Sequence, residues 1–358
     1  MLSRRGMLRG LMAAGLCPAP TWADTGSPRY LAAAQALGGG YELHGFDRGG
    51  QSLFAIALPD RGHAAAAHPT QAVAVGFARR PGTYALVIDC ALGAVQTRLT
   101  APEGRHFYGH GAYTQDGRYL FTTENAFDTA EGRIGVWDAL DGYRRVGEFA
   151  SGGVGPHEML LMPDGETLAV ANGGIETHPD AGRAKLNIPF MEPNLSYLTL
   201  TGALLEQVAP PAAEHKNSLR HIASGPDGQI AAALQWEGDV AQAPALLMLH
   251  SRGETPIWCR ADGADHDAMD GYAGSVSFSG SGAEVAITSP RGGRVQVFDA
   301  RDGQLLRQVM LDDVCGLAPH EGGFVASTGG GEVFALHGDG AVPLSRAELA
   351  WDNHIVAL

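Results

Sequence analysis

The feature that most constrains this chain is a short frame that recurs along its length. A histidine or a small residue stands six positions before a turn of the Asp-Gly type, and a strand-like segment follows, as in His-Gly-Ala-Tyr-Thr-Gln-Asp-Gly at 110–117. Seven copies, one of them with an extra residue in the spacing, lie at 61–68, 110–117, 157–165, 221–228, 275–282, 315–322 and 352–358. Self-similarity of this kind indicates a repeat architecture.

Each interval between copies has room for four short strands. In the clearest interval, strands are predicted at 110–114, 119–124, 132–138 and 143–149, with glycine or polar turns between them. Alternation of apolar and polar residues favours strands over helices. Four antiparallel strands repeated seven times predict an all-β fold, a seven-bladed β-propeller.

The two ends of the chain are predicted to share one blade. The C-terminal segment 351–358 supplies its innermost strand, and 30–36, 41–47 and 52–58 supply the other three. This closure removes the exposed edges that an open sheet would leave. The segment 173–194 is read as a loop inserted within a blade, so residues 24–358 are expected to form one domain.

The N-terminus predicts an export signal. Ser-Arg-Arg-Gly at 3–6, an apolar run at 8–16 and small residues before Asp24 are typical of a twin-arginine signal over 1–23. We therefore expect a periplasmic protein, exported already folded and loaded with any metal beforehand. No later stretch is apolar for long enough to span a bilayer.

Charge and cysteine content narrow the choice of partners. The formal net charge of −14 argues against nucleic acid and anionic lipid and is compatible with cation binding. After the leader, only Cys90, Cys259 and Cys315 remain, far apart and odd in number, so at most one disulfide is expected. No Cys-x-x-Cys-His motif occurs, which excludes covalent c-type haem.

The repeat predicts a metal site at the propeller axis. The first strand of each blade lines the central channel, so the residues at the histidine position of the seven frames should meet there. Neutral imidazole binds Fe, Cu, Zn or Ni, and a thiolate adds a soft ligand. The predicted ligands are His63, His110, His157, His221, His354 and Cys315. Iron or copper is expected rather than zinc.

Two alternatives remain open at this site. A one-residue change of register would turn His68 or Glu158 inward in place of His63 or His157. Each histidine taken singly is also explained by a structural hydrogen bond at the start of its strand. Five histidines in equivalent positions favour a shared site.

Polar loops on the same face of the propeller are predicted to bind a ligand or a partner. Long irregular loops on a rigid scaffold commonly carry function. The residues singled out are Glu124, Glu158, His178, Arg183, Lys185, Arg220 and Trp236. The acidic ones, together with Glu237, are expected to raise the local concentration of cations.

Several segments together resemble one bacterial family. They are Thr-Thr-Glu-Asn at 122–125, 132–138, Gly-Pro-His-Glu at 155–158, 171–180, 182–187 and Arg220-His221. Over essentially the whole mature chain, the sequence is similar to the family DUF1513. The resemblance implies a periplasmic seven-bladed propeller of the YVTN/quinoprotein-dehydrogenase-like kind. It also implies neighbouring genes for imelysin-like proteins and a di-haem oxidoreductase, in iron-acquisition clusters, but no settled activity.

These observations support three functional hypotheses. The first is a periplasmic propeller that binds a transition metal in iron or copper acquisition or handling. The second is a non-catalytic platform whose 173–194 loop docks an imelysin-like or haem-protein partner. The third is a metal-dependent hydrolase or oxidoreductase, but no nucleophile elbow or nucleotide-binding glycine motif supports it.

Overall fold

A computed structural model describes residues 19–79, 83–338 and 340–358. The twin arginine and most of the predicted export signal lie outside the described residues, and the signal stays a prediction. Residues 20–25 pack on the second blade: the amide of Ala72 donates to Pro20 O (2.8 Å), and Trp22 Nε1 donates to His68 O (2.9 Å). Within the described ranges, no helix has the length and hydropathy needed to cross a membrane.

Seven antiparallel sheets form the blades of a closed ring. Blade one contains β1 (Tyr30–Ala36), β2 (Tyr41–Phe46) and β3 (Ser52–Leu58). Blade two contains β4 (Gly62–Ala67), β5 (Val73–Ala78), β6 (Tyr84–Asp89) and β7 (Ala94–Thr100). Blade three contains β8 (Arg105–Tyr113), β9 (Tyr119–Ala126), β10 (Glu131–Asp138) and β11 (Arg144–Ala150). Blade four contains β12 (Pro156–Leu161), β13 (Thr167–Asn172), β14 (Asn194–Thr199) and β15 (Leu204–Val208).

The remaining blades follow in chain order. Blade five contains β16 (Asn217–Ser224), β17 (Ile230–Trp236), β18 (Leu247–His250) and β19 (Ile257–Cys259). Blade six contains β20 (Ser275–Phe278), β21 (Glu284–Ser289), β22 (Arg294–Asp299) and β23 (Leu305–Met310). Blade seven contains β24 (Val314–His320), β25 (Gly323–Thr328), β26 (Glu332–His337) and β27 (Gly340–Arg346). The seven-bladed prediction is confirmed.

Helical segments in the described chain are short and lie between strands or before the first one. One α-helix spans Gly263–Asp267. The 3-10 turns are Trp22–Thr25, Ala139–Asp141, Pro179–Ala181, Ile188–Phe190, Ala212–Glu214 and Val240–Gln242. Residues 173–193 connect β13 to β14, so the predicted insertion lies within blade four.

The hydrophobic core lies between the blades. The second strand β5 is buried along its whole length, whereas the outermost strand β11 is mostly exposed. Middle strands are covered by neighbouring blades on both faces and therefore have continuous apolar runs. One cluster joins Leu31 and Leu43 of blade one to Ala74 and Ile88 of blade two. Each innermost strand also contacts the next one around the ring.

The C-terminal strand closes the ring on the N-terminal blade. It consists of β28 (Leu349–Trp351), which pairs with Ala34–Ala36, and β29 (Val356–Ala357), which pairs with Tyr30 and Leu31. The sequence predicts one continuous strand here, but residues 352–355 leave the ladder. The interruption follows from the side chains it carries: Asp352 pairs with Arg61 and Arg79, and His354 enters the channel.

We expect Trp351→Ala to lower the free energy of unfolding by about 3–5 kcal/mol, the usual cost of truncating a buried aromatic side chain. Trp351 is 5% exposed, and its ring lies 5.4 Å from the rings of His44 and Phe46 at the point of closure. Equilibrium denaturation in urea measures the change. Phe190→Ala is the control, because Phe190 is 82% exposed. Equal effects of the two substitutions would contradict this account of closure.

Candidate functional site

The innermost strands are bulged at the positions that carry the candidate ligands. The ladder shifts register between Gly62 and Ala65, between Phe107 and Gly111 and between Pro156 and Glu158. It shifts again at 219–221 in β16 and at 314–317 in β24, whereas β20 shows no shift. A bulge places an extra residue outside the ladder and re-aims its side chain. His63, His110 and His157 lie outside the ladder at these irregularities, and His221 follows the bulged residue of β16.

Five imidazole rings meet in the channel; we call His63, His110, His157, His221 and His354 the histidine cluster. His63, His157, His221 and His354 form a closed quadrilateral with neighbouring ring centroids 4.6–5.6 Å apart. The ring of His110 lies 4.7–5.9 Å from all four. Gly109 makes room for this packing: its φ is +105°, and a Cβ there would lie 2.4 Å from Cδ2 of His63.

Glu158 joins two rings of the cluster. Its Oε1 lies 3.3 Å from Nδ1 of His110, and its Oε2 lies 3.1 Å from Nδ1 of His221. The amide of Ile222 also donates to Oε2 (3.1 Å). Burial alone would raise the pKa of Glu158, but His110 and His221 outweigh it and hold that pKa well below its usual value. The carboxylate is therefore ionised.

The bulge in β12 resolves the question of register at 157–158. With His157 outside the ladder and Glu158 paired with Ala171, both side chains reach the channel. From the sequence alone, His157 and Glu158 are alternatives for a single channel-facing position. His68 points elsewhere: its Nδ1 accepts from the amides of Thr70 and Gln71, and its ring packs on Tyr113.

Four nitrogens of the cluster are buried and have no hydrogen-bond partner within the described chain. They are His63 Nδ1, His110 Nε2, His157 Nδ1 and His354 Nε2. A buried polar atom left unpaired typically costs about 1–3 kcal/mol. An ion bound at these nitrogens would offset that cost.

Four of the five rings are held in the neutral state that binds metals. Burial and then the neighbouring imidazoles lower the pKa of His63, His157 and His354 well below the usual value near 6.5. Burial also lowers the pKa of His221, although Glu158 opposes the shift. Metal binding requires deprotonated imidazole, so these rings are ready to act as ligands near neutral pH.

The candidate ligand atoms form two groups that share His110. One contains His110, Glu158, His221 and His354, and the other contains His63, His110 and His157. The atoms in each group lie within 4.8 Å of one another. Donors on one ion, each about 2 Å from it, are separated by about 3–4 Å, so small side-chain rotations would complete either set.

Two cavities flank the histidine cluster. The mouth cavity, of about 440 Å³, is lined by His63, His157 and His221 among other residues. The channel cavity, of about 430 Å³, is lined by His110, Glu158 and His354 and by the small residues of 64–67 and 111–112. The cluster therefore lies between a basic entrance and a channel lined by small and aliphatic residues.

The mouth cavity is basic rather than acidic. Its described lining includes the cationic side chains of Arg61, Arg79, Arg183, Lys185, Arg220 and Arg291 and contains no carboxylate. Two of the acidic residues expected to attract cations are paired with basic side chains instead. Arg145 holds buried Glu124 through two hydrogen bonds of 2.6 and 2.9 Å, and Lys185 pairs with Glu237. The loops thus present cations to the entrance.

The other residues singled out from the sequence lie apart from the cluster. Cys315 is buried, its Sγ donates to Asp313 O (3.2 Å), and burial raises the pKa of the thiol to about 12. It belongs to none of the convergent groups of the described chain. His178 contacts Phe127 and Asp128, and Trp236 Nε1 donates to Asp239 O (2.8 Å).

Sequence reasoning missed two features. Arg61, Arg79 and Arg291 line the mouth, but none occupies the histidine position of a frame, and only the folded ring brings them together. A further group, His320, Glu321 and His337, lies at strand ends of blade seven, outside the channel. The repeat gave no signal for it, because these residues fall at turns.

Comparison with known proteins confirms the family resemblance. A family model described as "Protein of unknown function (DUF1513)" matches residues 56–358. Among solved structures, Kuenenia stuttgartiensis Hydrazine Synthase is similar, with a TM-score of 0.61 and 15% sequence identity over 81% of this chain and 86% of that chain. At that identity the likeness concerns the fold alone. No curated protein matches the chain.

Acidification of the metal-free protein from pH 7 to pH 5 is expected to lower its free energy of unfolding. In the unfolded chain His63, His157 and His354 take up protons near pH 6.5, whereas in the folded protein their pKa lies well below that value. The unfolded state therefore binds more protons in this window, and stability falls as the pH falls. Each ring contributes up to about 1.4 kcal/mol per pH unit. Urea denaturation at a series of pH values measures the slope.

The variant H157Q/H354Q should flatten this slope by about two protons. His178→Gln, at a ring outside the cluster, should leave it unchanged. A slope that is the same in all three proteins would show that the cluster does not titrate as described.

Proposed function

Because the chain belongs to the DUF1513 family, whose description names no activity, we propose its function from the site itself: the histidine cluster binds one transition-metal ion, in the handling of iron or copper. The observation that carries this proposal is the set of four buried imidazole nitrogens in one cluster that find no hydrogen-bond partner among the described residues. Three of the rings that bear them have a pKa well below the usual value.

The donor set favours a transition metal over magnesium or calcium. Those two hard cations take mainly oxygen ligands, whereas imidazole suits Fe, Cu, Zn and Ni. The cluster offers five imidazoles, with the carboxylate of Glu158 beside two of them. A structural zinc site is completed by four ligands, so this larger set is better matched to iron or copper, which accept histidine together with carboxylate or several histidines.

Glu158 supports the ligands by fixing two tautomers. An ionised carboxylate accepts hydrogen bonds, so Nδ1 of His110 and of His221 carries the proton. Nε2 of each ring is then left as the donor for a metal. Carboxylates behind metal-bound histidines have this effect generally. With only one nitrogen of His110 available to the two overlapping groups, one ion per chain is expected.

Export and location belong to the same proposal. The Ser-Arg-Arg-Gly pattern at 3–6 supports passage through the twin-arginine pathway to the periplasm. That pathway carries folded proteins, so the metal would be inserted before export. Selection at loading matters because copper binds most such sites more tightly than iron does.

We expect the purified protein to bind one equivalent of Fe(II), under anaerobic conditions, or of Cu(II). His110→Ala and His221→Ala should each weaken binding at least tenfold, as loss of a supporting group already does. Elemental analysis after desalting and calorimetric titration measure stoichiometry and affinity. His178→Ala is the matched control. Sub-stoichiometric metal in the wild type and in every variant would end the proposal.

One observation favours a second function, the docking of a protein partner. The loop 173–193 is fixed at its base, where Asn187 accepts from the amide of Glu176 (2.8 Å) and donates to Gly174 O (2.9 Å). It nevertheless exposes Phe190 (82%) and Leu186 (52%). Long loops on a rigid scaffold commonly carry binding residues, and these two side chains are accessible to a partner. The family resemblance points to an imelysin-like or di-haem periplasmic protein as the partner.

Replacing Leu186 and Phe190 by serine should reduce capture of a purified imelysin-like or di-haem protein from the same genome by about tenfold or more. Leu140→Ser is the control, because Leu140 is equally apolar, 73% exposed and distant in the sequence. Surface plasmon resonance with both partners distinguishes them. Undiminished binding by the double variant would exclude the loop as the docking site.

A further inference from the structure

We propose that the mouth cavity is a binding site for a small polyvalent anion, a carboxylate or an inorganic oxyanion, held between Arg220 and Arg79 beside the histidine cluster. This inference concerns the arginines and goes beyond the metal site. It does not require a bound metal.

The first argument is the sign of the charge. The protein carries a formal net charge of −14, yet the described lining of this cavity holds six cationic side chains and no carboxylate. A cleft lined by charge of one sign focuses the field and attracts counter-ions. The mouth cavity is therefore a positively charged region of a protein whose net charge is negative.

The second argument is incomplete pairing. Arg61 and Arg79 share one carboxylate, that of Asp352, at 2.8 and 3.0 Å. Lys185 pairs with Glu237, and Arg291 lies 4.0 Å from Asp270.

Arg183 and Arg220 complete the set of six. Neither forms an ion pair or a side-chain hydrogen bond within the described residues. Among the described residues, only three carboxylates pair with cations of this lining, and a bound anion would offset the excess of positive charge.

Arg220 is the best-defined member of the set. It is the extra residue of the bulge between Leu219 and His221. Its Nε is buried and lacks a hydrogen-bond partner within the described chain. Arg220 as a whole is half-buried, and a partly desolvated cation without a close counter-ion is costly. A guanidinium is also the side chain best suited to a two-point contact with a carboxylate or a phosphate.

The positions of the two arginines place the anion against the rings. Both arginines line the mouth cavity together with His63, His157 and His221. Arg220 also directly precedes His221 in β16. An anion held by the two guanidiniums would therefore lie beside the histidine cluster.

The remaining lining provides size and neutral hydrogen-bonding groups. Gln235, Asn353, Tyr108 and Tyr272 also face the cavity. Its volume of about 440 Å³ falls within the range of small-molecule sites. A citrate-sized carboxylate or a phosphate fits this combination of charge and space.

Calorimetric titration of metal-free full-length protein, with all chelator removed, tests the proposal. The probes are citrate and inorganic phosphate at low ionic strength and at 0.15 M NaCl, with trimethyl citrate as the uncharged analogue. We expect saturable binding of at least one of the two anions and none of the ester. The stronger of the two identifies the source as a carboxylate or an oxyanion.

Arg220→Gln should raise the Kd of that anion about tenfold, the effect expected for loss of one charge-assisted contact. Arg220→Lys keeps the charge but lacks the planar guanidinium needed for a two-point contact, so it should give an intermediate Kd. Arg301→Gln is the control, because Arg301 is exposed and pairs with Asp299. Arg183→Gln, in the 173–193 loop, gives an independent variant if Arg220→Gln does not fold.

Absence of saturable binding in the wild type would overturn the proposal, and so would equal Kd values for Arg220→Gln and Arg301→Gln. A separate metal titration distinguishes the two proposals. Arg220→Gln should still bind one ion, and failure of metal binding with anion binding intact would count against the metal site alone.

Discussion

Closure of the ring is the constraint on which the rest of the structure depends. The pairing of β28 and β29 with β1 joins the two ends of the chain, so all seven innermost strands surround one channel. Residues as distant in sequence as His63 and His354 become neighbours with ring centroids 4.6 Å apart. The bulges then supply what regular strands cannot, because they release side chains from alternation across the ladder. Blade six, whose β20 is regular, places Ser275 at the equivalent position, and its hydroxyl accepts from the amide of Leu317.

The cluster is an arrangement that a fold optimised only for stability would not retain. Imidazole rings are packed mostly edge to face, beside an ionised carboxylate and near guanidiniums, and four of their nitrogens have no hydrogen-bond partner within the described residues. Each of these features opposes folding, whereas the apolar layers between blades favour it. Five buried side-chain atoms without a hydrogen-bond partner in the described chain lie at this one place, and such a concentration commonly marks a functional site. Here these groups are the imidazole nitrogens of the histidine cluster and the arginines that line the mouth cavity beside it.

Much of the fold and of the histidine cluster could be predicted from the sequence, because equivalent positions in a repeat occupy equivalent places in the blades. The frame around His110 and Asp116, found again at His221 and Asp227, was enough to predict seven blades, the closing strand and the five rings. Joint access of His157 and Glu158 to the channel could not be predicted, since a bulge of one residue leaves no sequence signature distinct from a shift of register. The basic lining of the mouth cavity could not be predicted from the sequence either. Arg61 and Arg79 flank a single strand pair, and Asp352 joins them from the far end of the chain only after closure.

The claim that radial closure assembles a metal site from these rings is tested most directly by X-ray absorption spectroscopy. The protein would be loaded with one equivalent of Fe(II) or Cu(II) and measured at the edge of that metal. The account predicts a first shell of nitrogen and oxygen donors at about 2 Å, with multiple scattering from at least three imidazole rings. A shell of oxygen donors alone, without imidazole scattering, would contradict it.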